Sequence, residues 1–134
     1  MRYIFFPCFD SSRLDHYLSN NLIDIGPRDP LAYRFNKGDN IVFCLSKERL
    51  VLAKAVAAGP VFALPRDRVL DPDFPMAIRL VPGSVFWRHP PKPAGDFVWG
   101  PTRSISQAEF DDLISGEAQW LPASKNHKKV TEQA

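Results

Sequence analysis

Apolar positions along this chain recur at two different spacings, and the changes of spacing mark its elements. Residues 2–6 are aromatic and β-branched, which predicts a first strand. Pro7 and the Asp10-Ser11-Ser12 cluster break it, and Asp10 or Ser11 is placed to cap a helix by accepting an orphan backbone N–H. Leu14, Tyr17, Leu18 and Leu22 follow at helical spacing and give that helix one apolar face. Gly26-Pro27 and Asp29-Pro30 end the unit. Asn36-Lys37-Gly38-Asp39 is a turn, and residues 41–45 are a continuous apolar run, as in a strand buried on both faces. Residues 46–49 are a polar link and residues 50–57 the returning strand, so the pair predicts a β-hairpin.

The second half is more broken. Residues 61–64 continue past Gly59-Pro60 as a further strand, and residues 65–75, with Arg66, Asp67, Arg68, Asp71 and Asp73, read as a charged surface loop. Residues 76–81 predict a strand, which Pro82-Gly83 turns or kinks and residues 85–88 extend or return. Residues 89–96 hold three prolines and a glycine and read as an irregular excursion. Residues 105–116 are a second helix: Ser106 with Glu109 forms a capping box, and Ile105 with Phe110 a hydrophobic staple. Phe110, Leu113 and Ile114 make its buried stripe, and Gly116 suits its stop. The order predicts one β-rich α+β domain over residues 1–121, a mixed, bent sheet forming a partly open barrel with two flanking helices. Residues 122–134 are polar and lysine-rich and are expected to be a disordered tail.

Composition narrows the class. The 134 residues suffice for one core, and 13 prolines favour short strands over long helices. No apolar run approaches the ~20 residues of a membrane span, and the first residues are too soon charged for a signal peptide. Cys8 and Cys44 each lie among apolar residues without a disulfide-framework pattern. Two buried thiols in a reducing cytoplasm is the simpler reading, with a disulfide left open. The net charge of +2 comes from the last ten residues, where Lys125, Lys128 and Lys129 outnumber Glu132. The body is therefore neutral, which argues against a protein that coats nucleic acid by charge. Any nucleic-acid role needs a local patch and a shaped pocket.

The segment YRFNKGDNIVFCLSKERLVLAKAVAAGPV resembles the Lys-Gly-Asp turn and apolar hairpin at the core of PUA-like domains. Within that group it is most similar to EVE and ASCH domains. RYIFFPCFDSSRLDHYL resembles their aromatic first strand and helix, and PTRSISQAEFDDLI their late strand, arginine-serine stretch and capped helix. The resemblance covers residues 1 to about 116. It implies a fold that binds RNA, or a modified base in an aromatic pocket, and ribonuclease activity in some ASCH-like members.

The residues offer a matching set of candidates. Trp87 and Trp99 flank the proline-rich stretch and either sandwich an extruded base or brace the core. Arg88, His89, Lys92 and Arg103 give the one positively biased stretch of the body, suited to phosphates or a base edge, or else a solvated face. Ser46 and Lys47 end the central strand, where the pocket opens in the resembling folds, and Phe6 stands at the end of the first strand. A hydroxyl at Ser46 can bond a base edge, although a hairpin turn also takes polar residues. Catalysis has no motif behind it. His16, His89 and His127 lack metal-ligand spacing, neither cysteine completes a zinc set, and no phosphate-binding glycine loop is present. No cofactor, metal or catalytic residue is therefore assigned. The leading expectation is a module that holds a base, modified or not, of RNA or DNA. One alternative is a small metal-independent ribonuclease using Lys47, Tyr33, His89 and Arg88. The other is a protein-interaction or defence-accessory domain docking through the proline-rich stretch.

Overall fold

The chain forms β1 (Tyr3–Cys8), α1 (Ser11–Leu18), β2 (Leu22–Ile25), β3 (Asn40–Leu45), β4 (Leu50–Val56), β5 (Phe62–Ala63), β6 (Met76–Arg79), β7 (Phe86–Pro93), β8 (Arg103–Ile105), α2 (Gln107–Ile114) and β9 (Gln119–Pro122). The structure is a computed structural model and describes residues 2–123. Six strands make a mixed sheet in the order β8-β1-β3-β4-β7-β9, and β2-β6-β5 make a second, antiparallel sheet. β1 and β3 pair in parallel, and every other pairing is antiparallel. A bridge between Ala57 and Leu80 joins the sheets. They wrap one core without closing into a full barrel, as the partly open, bent sheet read from the sequence requires.

Alternation along the central strands sorts the core into two layers. Ile4, Phe6, Cys8, Ile41 and Phe43 point between the two sheets, where they meet Leu14 and Leu18 of α1 and Ile23, Ile25 and Ile78 of the second sheet. Phe5, Val42 and Cys44 point the other way, against Phe110 and Leu113 of α2. Burying each such side chain contributes roughly 1.5–3 kcal/mol. Both caps read from the sequence are present. Asp10 accepts from the backbone N–H of Ser12 and Arg13. Ser106 and Glu109 bond reciprocally, each at 3.0 Å.

Three local expectations are corrected. β1 runs through Pro7 to Cys8 instead of stopping at Phe6. Asn40 donates to Arg2 O and Ser46 to Cys8 O, so even-numbered residues of β1 face β3. Pro7 therefore turns its N-H-less nitrogen to the opposite side, where β8 pairs no further than Phe5, and no ladder bond is lost. Leu22 belongs to β2 and not to the first helix. α1 ends at Leu18, and Asn21 takes the left-handed conformation (φ 57°) that reverses the chain. Residues 89–93 are strand rather than irregular. Phe86 to His89 pair with β9, while Lys92 and Pro93 pair with Val51 and Leu50 of β4. A register shift in β4 between Val51 and Ala53 lets the intervening prolines go unpaired, so the ladder asks no N–H of them. Of the expected tail, residues 124–134 lie outside the described residues.

Candidate functional site

β1 and β3 run in parallel and end side by side, and a cleft of about 1230 Å³ opens at their C-terminal ends. Phe6, Pro7, Cys8 and Phe9 form one side; Ser46, Lys47 and Arg49 of the β3–β4 turn stand beside them. The end of β2, from Ile23 to Gly26, lies opposite, flanked by Phe74 and by Trp99 to Thr102. Two contacts hold these walls. Thr102 Oγ1 donates to Asp29 Oδ2 at 2.8 Å, tying the 99–102 segment to the loop after β2. A Cβ at Gly26 would meet Asp73 O at 2.7 Å and the Phe74 ring at 3.3 Å, so the loop before β6 seats against a backbone that only glycine provides.

The lining combines the rings of Phe6, Phe9, Phe74 and Trp99 and several prolines with a set of charged and polar side chains. Phe6 is buried, with its ring 5.5 Å from that of Phe43. Trp99 is held edge-on to Phe5 at 5.0 Å, with the Arg49 guanidinium 5.7 Å over its ring. Phe9 is 79% exposed at the mouth. The Ser46 hydroxyl is buried and, among the described residues, has no hydrogen-bond partner. Asp24 is 3% exposed and ion-paired with Arg13 Nε at 2.7 Å, and the same guanidinium meets Asp71 at 3.0 Å and lies 4.0 Å over the Phe74 ring. Burial outweighs the attraction of Arg13 and pushes the Asp24 carboxyl up to about 6. The same cause lifts the Cys8 thiol to about 12, so it lines the cleft as a neutral thiol, donating to Cys44 O at 3.1 Å. Cys8 and Cys44 are both free and buried.

Of the residues singled out in the sequence, the fold brings Phe6, Ser46, Lys47 and Trp99 to this cleft. It places the other five elsewhere. Trp87 packs half-buried against the main core. Arg88 is buried and donates to the backbone carbonyls of Pro90, Ser115 and Glu117. Lys92 donates to Asp112 O and Ser115 Oγ at the end of α2, where a cation complements the free carbonyls. His89 is exposed on β7, and Arg103 lies over the Phe5 and Phe97 rings while donating to Val98 O. Lys47, Tyr33, His89 and Arg88 are not assembled: only Lys47 lines the cleft, and Tyr33 is 72% exposed. Sequence reading passed over Asp24, Arg13, Phe9, Phe74, Arg28 and Arg49, all of which line it. Asp24 alone had a signal, a carboxylate inside the apolar run Leu22-Ile23-Asp24-Ile25, where a buried charge needs a partner.

Fold and cleft together define a small α+β domain with two sheets and a cleft of mixed aromatic and charged lining at its parallel strand ends. The fold is similar to that of solved YTH domains. The Mmi1 YTH domain is 9% identical, matches over 99% of this chain and 96% of that one, and gives a TM-score of 0.50. The Mmi1 YTH domain in complex with RNA (10% identity, 98% and 76% coverage) gives a TM-score of 0.49. The YTH domain of Zygosaccharomyces rouxii MRB1, in complex with N6-methyladenosine RNA (11% identity, 98% and 85% coverage), gives 0.48. No family model matches the chain, and no curated protein matches it in sequence. At these identities the likeness is one of fold. No family model confirms the PUA-like resemblance read from the sequence.

Proposed function

We propose that this chain is an RNA-binding domain that takes a single base, modified or not, into the cleft at the ends of β1 and β3. The observation that carries the reading is the Ser46 hydroxyl, buried without a partner among the described residues in a cleft that also holds the rings of Phe6, Phe9, Phe74 and Trp99. Leaving a buried hydroxyl unsatisfied costs roughly 1–3 kcal/mol, which a base edge supplying the missing bond recovers. Trp99 and Phe9 offer faces for stacking, worth roughly 1–3 kcal/mol per base, and Phe6 forms part of the floor. Lys47, Arg28 and Arg49 are exposed at the mouth, where the phosphates beside an inserted base would lie. The fold shared with the Mmi1 YTH domain supports the reading, as do the RNA complexes of YTH domains and the resemblance of the Lys-Gly-Asp hairpin to EVE and ASCH domains.

The test is a calorimetric titration with single-stranded RNA, and with DNA of the same sequence, for the native chain and for Trp99→Ala and Ser46→Ala. RNA is expected to bind. Trp99→Ala should weaken it by one to two orders of magnitude, and Ser46→Ala by about tenfold with no loss of melting temperature. Unaltered RNA affinity in both variants would overturn the reading.

A further inference from the structure

The charges of the cleft are sorted by depth. Inside, one guanidinium serves two carboxylates: Arg13 bonds Asp24 at 2.7 Å and Asp71 at 3.0 Å, with side chains 12%, 3% and 36% exposed. That group of three carries one negative charge in excess, and Asp24 presents it to the cleft. The same guanidinium lies 4.0 Å over the Phe74 ring, and its single positive charge balances only one of the two acids. Asp29 also lines the cleft, but it is engaged by Thr102 and by the backbone of Leu31. At the mouth the balance reverses. Arg28, Lys47 and Arg49 are exposed there, against Asp10, which caps α1, and Asp73. Exposed charges are screened by solvent and do little to offset a buried one.

A ligand that matches this field is positive where it is buried and negative where it leaves. The buried ring of Phe6 favours the same inner half, since aromatic faces attract cations and the attraction grows on desolvation. A nucleotide whose base carries a charge has that distribution, with a cationic ring inside and phosphates at the rim. From Asp24, Arg13, Asp71 and the aromatic lining we infer that the cleft selects a base made cationic by methylation of a ring nitrogen over its neutral isomers. The inference rests on the base-binding reading above and names the class of base that site takes. The raised affinity of Asp24 for a proton agrees with it, because a buried carboxylate short of positive charge gains from a cation brought against it.

Two methyladenosines that differ in charge, compared on the native chain and on Asp24→Asn, test the inference. 1-Methyladenosine is protonated and cationic at neutral pH and N6-methyladenosine is neutral, while both carry one added methyl group. One RNA sequence carrying adenosine, 1-methyladenosine or N6-methyladenosine at its centre is titrated into the full chain at pH 7. The cationic isomer is expected to bind at least about tenfold more tightly than the neutral one. Asp24→Asn should bring the two within about twofold of each other. Asp71→Asn, outside the cleft lining, leaves Arg13 to neutralise Asp24 alone and should lower the preference while Asp24 is intact. Equal affinity for the isomers, or preference for the neutral one, overturns this inference and leaves base binding standing. So does a preference that survives both variants. Failure of all three RNAs to bind overturns both.

Discussion

Asp24 shows most clearly how one side chain couples stability to the site. Its carboxyl ionises near pH 6 in the folded protein, above its ordinary 3.8, because burial outweighs the pull of Arg13. Between those two values the folded chain keeps a proton that the unfolded chain has released. Stability is therefore expected to fall as pH rises from about 4 to about 6, and this group contributes no further change above that. Asp24→Asn fixes the neutral form, so it should be more stable than the native chain at pH 7 by an amount on the order of 1–3 kcal/mol. Urea unfolding at pH 7 and near pH 4 checks this, since the gain should vanish at the lower pH. The carboxylate would then be kept at a cost in stability, as expected of a group held for binding. Ser46 follows the same logic on a smaller scale. Removing an unpartnered buried hydroxyl costs the fold nothing, so an effect of Ser46→Ala confined to RNA affinity would mark its role as ligand contact.

The elements separate what holds the domain together from what lines the cleft. Arg88 on β7 satisfies three backbone carbonyls, at 2.6 Å to Pro90, 2.9 Å to Ser115 and 3.4 Å to Glu117, and so pins the end of α2 to the sheet. Arg88→Met is expected to destabilise the domain by about 2 kcal/mol in urea unfolding while leaving RNA affinity of the folded protein unchanged. Gly26→Ala acts on the other class. Its Cβ forces Asp73 and Phe74 away, which should cost about 1–3 kcal/mol and weaken RNA binding together, because Phe74 is a wall of the cleft. The hairpin, both helix caps and the polar end of β3 were legible in the sequence, because each rests on neighbours within a few residues. Ser46 and Lys47 were singled out from where the pocket opens in the resembling folds, Phe6 from its place at the end of the first strand, and Trp99 only as one of a pair with Trp87. β2 was hidden because Leu22 continues the spacing of Leu14 and Leu18, and only the turn at Asn21 separates a four-residue strand from the helix. Asp24 went with it, since its partner Arg13 sits on another element and the pairing exists only in the folded chain. Trp87 and Trp99 looked equivalent because the prolines between them suggested a loop. The ladder carries β7 on to Pro93 instead, and Trp87 turns into the core while Trp99 reaches the cleft.

On the proposed reading, the whole molecule binds through shape more than through charge. Leaving aside the lysine-rich last residues, its basic and acidic residues are equal in number, and three exposed cations stand at the mouth of the cleft. If those three meet phosphates, the affinity for single-stranded RNA should fall with salt at a log–log slope of only about −2. A titration from about 50 to 200 mM salt reads that slope directly, and a much steeper dependence would mean that a broad surface is engaged. The most direct test of the central claim is to map amide shifts of the isotope-labelled protein as single-stranded RNA is added. The cleft account predicts the largest changes at Phe6 to Asp10, at Asp24 to Gly26, at Ser46 to Arg49 and at Trp99 to Thr102, with Arg88, Lys92 and α2 undisturbed. Changes centred on Arg88, Lys92 and α2, with the cleft silent, would contradict it.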